Sequence, residues 1–185
     1  MTPLDDALAF NAAGHFVFAQ VLSLGEVVSV EISADTGMCY VTRRSTVMDA
    51  IFAADEKGIA VERAFPETTC GNALSFYREN RELWLRRMLL YSLSGGAAES
   101  EFAGVGRSSP WLLQYDEAVR FVKALKICGD RADALRAWFP HACASCQTMK
   151  TTIVAVAERI RSQRQMDHSA CVALWEEVSP GAVAS

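Results

Sequence analysis

Residues 9–25 read AFNAAGHFVFAQVLSLG. A patch of small residues, Ala12-Ala13-Gly14, runs into a single histidine, His15, and an uninterrupted apolar run follows. Upstream, Thr2-Pro3 supplies a hydroxyl cap and a proline at the first helical position. Asp5 and Asp6 suit the positive end of a helix dipole. The spacing predicts a helix over 3–24, ended by Gly25. The question it raises is why so apolar a helix carries His15 next to its smallest residues. The bland answer is a hydrogen-bonded histidine in a core or cleft. The sharper answer is a residue of a site.

Outward from this helix, VVSVEIS (27–33) and MCYVTRR (38–44) alternate as strands, and DTG (35–37) between them is a turn, so a β-hairpin is expected over 27–43. Residues 46–58 form a weak helical pattern, and 59–73, with Pro66 and Gly71, look irregular. A long helix is expected over 74–102. Its Gly95-Gly96 pair would cost about 1 kcal/mol each relative to Ala if exposed, so it points to close packing against another backbone. GVGRSSP (104–110) reads as a loop, and Ser109-Pro110 opens a helix that carries Asp116 and ends near Cys128-Gly129. Asp130 caps a helix to about Phe139 that Pro140 interrupts. Another helix covers about 142–164, and Asp167 caps a last one over 168–177. The expected class is mainly α with a small β-hairpin. Residues 1–178 form one domain, and 179–185 are a frayed, flexible tail.

Hydrophobic residues make up 51% and charged residues 22% of the 185, which suits a globular chain with ample core. The net charge of −4 and the lack of a basic block exclude nucleic acid as the expected partner. The start, MTPLDDALAF, has no basic region before an apolar stretch, and Phe16–Val30 is cut by Gln20, Gly25 and Glu26. The expectation is a cytoplasmic protein that does not engage membranes. Its six cysteines (Cys39, Cys70, Cys128, Cys143, Cys146 and Cys171) are then free thiols, mostly buried.

Three segments, in order, resemble the protease domain of the FtsH-type ATP-dependent zinc metalloproteases. FNAAGHFVFAQVL (10–22) is similar to that family's His-Glu-x-x-His helix, and a hairpin follows it as in the family. LLYSLSGGAAESEFAG (89–104) is similar to the family's helix with Ala-Ala-Glu, here Ala97-Ala98-Glu99. SSPWLLQYDEAVRFVKAL (108–125) resembles the helix that supplies an aspartate as third zinc ligand, a position held by Asp116. The family's membrane anchor and ATPase module have no counterpart in these residues.

The resemblance implies two histidines at i and i+4 that hold zinc, and a glutamate after the first that activates water. In this chain the first histidine position is Asn11, the base position is Ala12 and the second histidine is His15. An amide is a poor zinc ligand, and loss of a general base typically costs about 10²- to 10⁴-fold in rate. The implied enzyme is a peptidase whose zinc site has been lost, with no catalytic residue and no cofactor. If a metal were held, His15 and Asp116 would be its ligands. Each remnant position also has a plain structural reading. Asp116 could pair with Arg120 on the helix surface. Glu99 could hydrogen-bond His15 or simply be solvated. The segments HACASC (141–146) and HSAC (168–171) could be written as a zinc site, but a helix of about 22 residues would hold the pairs roughly 30 Å apart.

Two function classes follow. One is a pseudoenzyme that works by protein or peptide binding, with the hairpin's edge strand accepting an extended peptide, or by homo-oligomerisation. The other is a metal-dependent hydrolase with a zinc site rebuilt around His15 and Asp116.

Overall fold

The first helix, α1 (Pro3–Val21), is enclosed on almost every side: Ala7–Ala9 and residues 11–19 are all buried. A helix that is apolar all round can only be a core element, and this one packs on two other helices and both strands of the hairpin. Its acidic N-terminus is tied down by ion pairs. Asp5 bonds Arg164 at 3.0 Å and Asp6 bonds Arg161 at 3.0 Å, so the two carboxylates that suit the dipole also anchor the helix. The structure, a computed structural model, describes residues 3–33, 35–61, 65, 72–103, 110–127 and 130–179.

After α1 come β1 (Val27–Ser33), β2 (Met38–Arg43), α2 (Val47–Glu56), α3 (Ala73–Phe102), α4 (Pro110–Ala124), α5 (Arg131–Thr148), α6 (Lys150–Gln163), β3 (Gln165–Met166) and α7 (His168–Val178). The chain is mainly α with one small antiparallel sheet, as the sequence pattern requires. Among the described residues no helix is long and apolar enough to cross a membrane.

Four local expectations are corrected. First, α1 ends at Val21 rather than at residue 24. Ser23 turns left-handed (φ 54°), its N–H bonds Gln20 O at 3.0 Å, and Leu24 N–H bonds Ala19 O at 2.9 Å. That Schellman pair stops the helix without glycine. Gly25 (φ 118°) instead turns the chain into β1, where a side chain would run into the Arg44 carbonyl. Second, Pro140 does not break its helix, which runs from Arg131 to Thr148. Pro140 is exposed, and the carbonyl its missing N–H would have bonded belongs to exposed Arg136, where water can satisfy it. The break falls at Met149. Third, β3 adds a strand to the hairpin, pairing Val30 with Met166 and Glu31 with Gln165, so the order is β2-β1-β3. Two residues carry no alternation from which a strand could be read. The consequence for function is that β1 is central, with β2 and the two-residue β3 as the edges, so β2 is the longer edge strand. Fourth, the α4 helix stops early, at Ala124, with Lys126 left-handed (φ 54°). The expected loop at 104–109, most of the irregular stretch 59–73, the turn at Cys128-Gly129 and the tail 180–185 lie outside the described residues.

A single hydrophobic cluster draws on all seven helices and the sheet. α3 supplies its second axis. Nine consecutive residues, Tyr91 to Glu99, are buried, because α1, α4 and α5 all pack on this half of the helix.

Candidate functional site

The α1–α3 crossing is set by two glycines facing each other's helices. A Cβ on Gly14 would stand 2.9 Å from the carbonyl carbon of Ser94, closer still to its oxygen, and 3.0 Å from Ala98 Cβ. A Cβ on Gly95 would fall 2.6 Å from Asn11 Oδ1, 2.6 Å from His15 Cδ2 and nearer yet to His15 Nε2. Gly95 is therefore the floor on which Asn11 and His15 rest. The expected close packing of this glycine is observed, and its partners are the motif side chains themselves.

Asn11 is fully buried and bridges three elements. Its Nδ2 donates to Glu99 Oε2 of α3 at 3.0 Å, and its Oδ1 accepts from Cys39 Sγ of β2 at 3.1 Å. The carboxylate of Glu99 is 2% exposed, so it is not a solvated helix residue. A buried acid needs donors, and Asn11 is one. Burial, with the charge of Glu99 second, pushes the Cys39 thiol up to about 12. It is a protonated donor here, not a nucleophile. Ala12 is fully buried and has no polar group to offer.

His15, 8% exposed, reaches the rim of this layer. Its ring lies 5.0 Å from the ring of Tyr91, and Tyr91 in turn lies 5.7 Å from the guanidinium of Arg43. Arg43 grips Asp49 with two hydrogen bonds, of 2.9 Å and 2.5 Å, and also donates to Leu24 O at 2.6 Å. Asp49 is placed by a capping box at the start of α2. Thr46 Oγ1 accepts from Asp49 N, and Asp49 accepts from Thr46 N. Burial works against both charges of the Arg43–Asp49 pair. The bonds between them outweigh it, lowering the pKa of Asp49 and raising that of Arg43.

Beside these groups an open cleft of about 250 Å³ is lined by residues 39–42 of β2 with His15, Tyr91 and Glu117. Successive side chains of a strand point to opposite faces. Four consecutive lining residues therefore mean that the cleft follows the edge of β2 rather than one of its faces. Burial lifts the pKa of Glu117, and the charges of Arg43 and Arg120 pull it partly back. Tyr91 is held as a phenol well above its ordinary range, by burial first and by the charge of Glu117 second. Three larger concavities are present: two, of about 410 and 330 Å³, lie along the N-terminal half of α3, and one of about 370 Å³ lies along β1 and β3. The first is rimmed by Asp55, whose carboxylate is already bonded by Tyr77 and Arg81.

Of the motif positions, Asn11, His15 and Glu99 come together, and Asp116 does not join them. Asp116 is exposed, and the cleft carboxylate is its neighbour Glu117. Nor does Asp116 pair with Arg120, which forms a two-bond ion pair with Glu56 of α2 at 3.0 and 2.6 Å. The zinc site implied by the resemblance does not fit these residues. The amide at Asn11 is engaged on both sides, Asp116 points away, and among the described residues no three His, Cys, Asp or Glu side chains are grouped to hold a metal ion. The helix expected to separate the cysteine pairs is two helices. Cys143 and Cys146 lie on α5, and His168 and Cys171 on α7. Cys39, Cys146 and Cys171 are free thiols. Burial raises Cys146 to about 12 and Cys171 to about 11, so both remain thiols at neutral pH.

Tyr91, Glu117, Cys39 and the Arg43–Asp49 pair are functional candidates that motif reasoning passes over. Two of them left a trace in the sequence. Thr46-x-x-Asp49 is a capping-box spacing. On α4 the inward residues Ala118, Phe121 and Val122 put Asp116 roughly 170° away from the buried face and Glu117 only roughly 90° away, at 3.6 residues per turn.

No protein-family model matches the chain, and no curated protein matches it either.

Proposed function

We propose that this protein is a peptide-binding domain, a peptidase-like scaffold of FtsH type that lacks the catalytic groups. It receives an extended segment of a partner protein along the edge of β2. The observation that carries this reading is the cleft along residues 39–42, with His15, Tyr91 and Glu117 on its far wall. An edge strand offers unpaired backbone groups, and a neighbouring cleft gives the added strand's side chains somewhere to sit. The family part of the reading is supported by order and convergence. The helix with Asn11-Ala12 and His15, the hairpin after it, the helix with Ala97-Ala98-Glu99 and the following α4 all contribute to one region. Catalysis is not part of the reading. The base position is a buried alanine, and the first ligand position is an amide bonded to Glu99 and Cys39.

The test is to pan a display library of random heptapeptides on immobilised protein and to measure the best binder by fluorescence anisotropy. Affinity in the micromolar range is expected. It should be lost in Thr42→Arg, which fills the cleft from an exposed strand position. Failure to enrich any peptide, or equal binding by Thr42→Arg, would refute the proposal.

A further inference from the structure

One carboxylate beside the cleft has no bonded cation, and that suggests what enters the cleft. Two arginines act on Glu117 of α4 here, Arg43 on β2 and Arg120 on α4, and each holds a carboxylate of α2: Asp49 for Arg43, and Glu56, which Lys57 and Lys123 also approach, for Arg120. Each arginine is already committed. Arg43 holds Asp49 through two hydrogen bonds, and Arg120 holds Glu56 through two. Planar guanidinium–carboxylate forks of this kind are the strong form of the interaction. The two arginines that act on Glu117 are thus each bonded to another carboxylate. Among the described residues Glu117 makes no hydrogen bond or ion pair, although it feels both arginines at longer range. Its carboxylate is half-buried at the cleft wall, between Tyr91 of α3 and residues 39–42 of β2, with His15 of α1 also facing the cleft.

A carboxylate that is short of water and lacks a dedicated cation is costly to keep charged. It is relieved by a positive group brought in from outside. The face of Tyr91 toward Arg43 is occupied by that guanidinium, and the cleft lies open along residues 39–42 of β2. That is also where an added strand would lie.

We infer that the segment bound along β2 carries a basic side chain, lysine or arginine, that seats against Glu117. The inference rests on the peptide-binding reading above and deepens it. Alternate residues of an added strand share a face, so only those on the Glu117 side could reach its carboxylate. One position of the bound peptide should therefore be selective for positive charge, and its immediate neighbours should not be.

The experiment uses the full chain and the best heptapeptide from the display selection. At each position in turn the residue is replaced by lysine, by norleucine (similar in length, uncharged) and by glutamate, and affinity is read by anisotropy at low salt. One position should prefer lysine to norleucine by about five- to tenfold, the range for a partly screened ion pair. Glutamate should be weakest there. In Glu117→Gln the lysine preference at that position should vanish. In Asp116→Asn, one residue away but facing solvent, it should persist. If the peptides bind but no position distinguishes lysine from norleucine, or if the preference survives in Glu117→Gln, the charge inference falls while peptide binding stands. If no member of the series binds, the peptide-binding reading itself falls.

Discussion

Replacing Gly14 by alanine probes the crossing that holds the candidate site together. On helix propensity alone the change should stabilise the protein by about 1 kcal/mol. The structure opposes this. The new methyl would lie 2.9 Å from the Ser94 carbonyl carbon, closer to its oxygen, and 3.0 Å from Ala98 Cβ. None of these atoms can rotate away, because two are backbone and the third is a Cβ on a fully buried residue. Ser94 is further confined by Cys146 of α5, whose thiol approaches the same carbonyl at 3.7 Å. Overpacking typically costs about 1–3 kcal/mol, and an immovable neighbour places this case at or above the top of that range. The expected net loss is about 2 kcal/mol. For a chain of this size, about 1 kcal/mol moves the melting temperature by about 2–4 °C, so a fall of about 4–8 °C is expected. Gly95→Ala makes the comparison sharper. Its methyl meets the imidazole of His15 and the amide of Asn11. Those side chains can shift, so the stability loss should be smaller while the site is disturbed more. Urea titration and thermal melts followed by circular dichroism measure both variants. A Gly14→Ala protein as stable as the parent, or more so, would show that the two helices do not approach this closely.

Other outcomes follow from the same geometry. Asn11→Ala removes the amide from Glu99 and Cys39, and leaving a buried polar group without its partner should cost about 1–3 kcal/mol. A loss below about 0.5 kcal/mol in urea titration would contradict the buried bridge. Glu117→Gln should raise the melting temperature at pH 7. Burial lifts this carboxyl above its unfolded value, so its contribution is favourable at low pH and is lost as pH rises through the folded value. The advantage of the variant should close toward roughly pH 4, the ordinary glutamate range. A difference independent of pH would remove the electrostatic explanation. Asp49 behaves in the opposite sense. Its lowered value supports the fold above the ordinary carboxylate range and ceases to as pH falls through it, so Asp49→Asn should destabilise at pH 7 and little in strong acid. Protein purified without added metal should contain no stoichiometric zinc by elemental analysis. One zinc per chain, lost in His15→Ala, would overturn the view that the ligand set is broken.

How much of this was legible in the sequence depended on the range of the interaction concerned. Helix starts were readable because capping is local, and Thr2-Pro3, Ser109-Pro110, Asp130 and Asp167 each marked an observed start to within a residue. The hairpin was readable from its alternation. Helix ends were harder, since Ser23 and Lys126 adopt the left-handed conformation that glycine or asparagine usually signals. Strand β3 was invisible because its two residues are strands only by virtue of β1. Within the site, Gly95 announced a close approach, but nothing local said that His15 and Asn11 were its partners. On α4 it is Glu117, not the motif position Asp116, that lines the cleft, and the positions of Ala118, Phe121 and Val122 carry the signal for that. The Arg43–Asp49 and Arg120–Glu56 pairs, which leave Glu117 without a bonded arginine, join different elements and could be seen only in the fold.

The most direct measurement is amide chemical-shift mapping of ¹⁵N-labelled protein titrated with the selected heptapeptide. The predicted result is a contiguous set of shifts over residues 39–43 of β2, joined by His15, Tyr91 and Glu117, with slowed hydrogen exchange at β2 amides. Shifts centred instead on the exposed Phe76 and Leu83 of α3, with β2 unchanged, would contradict it.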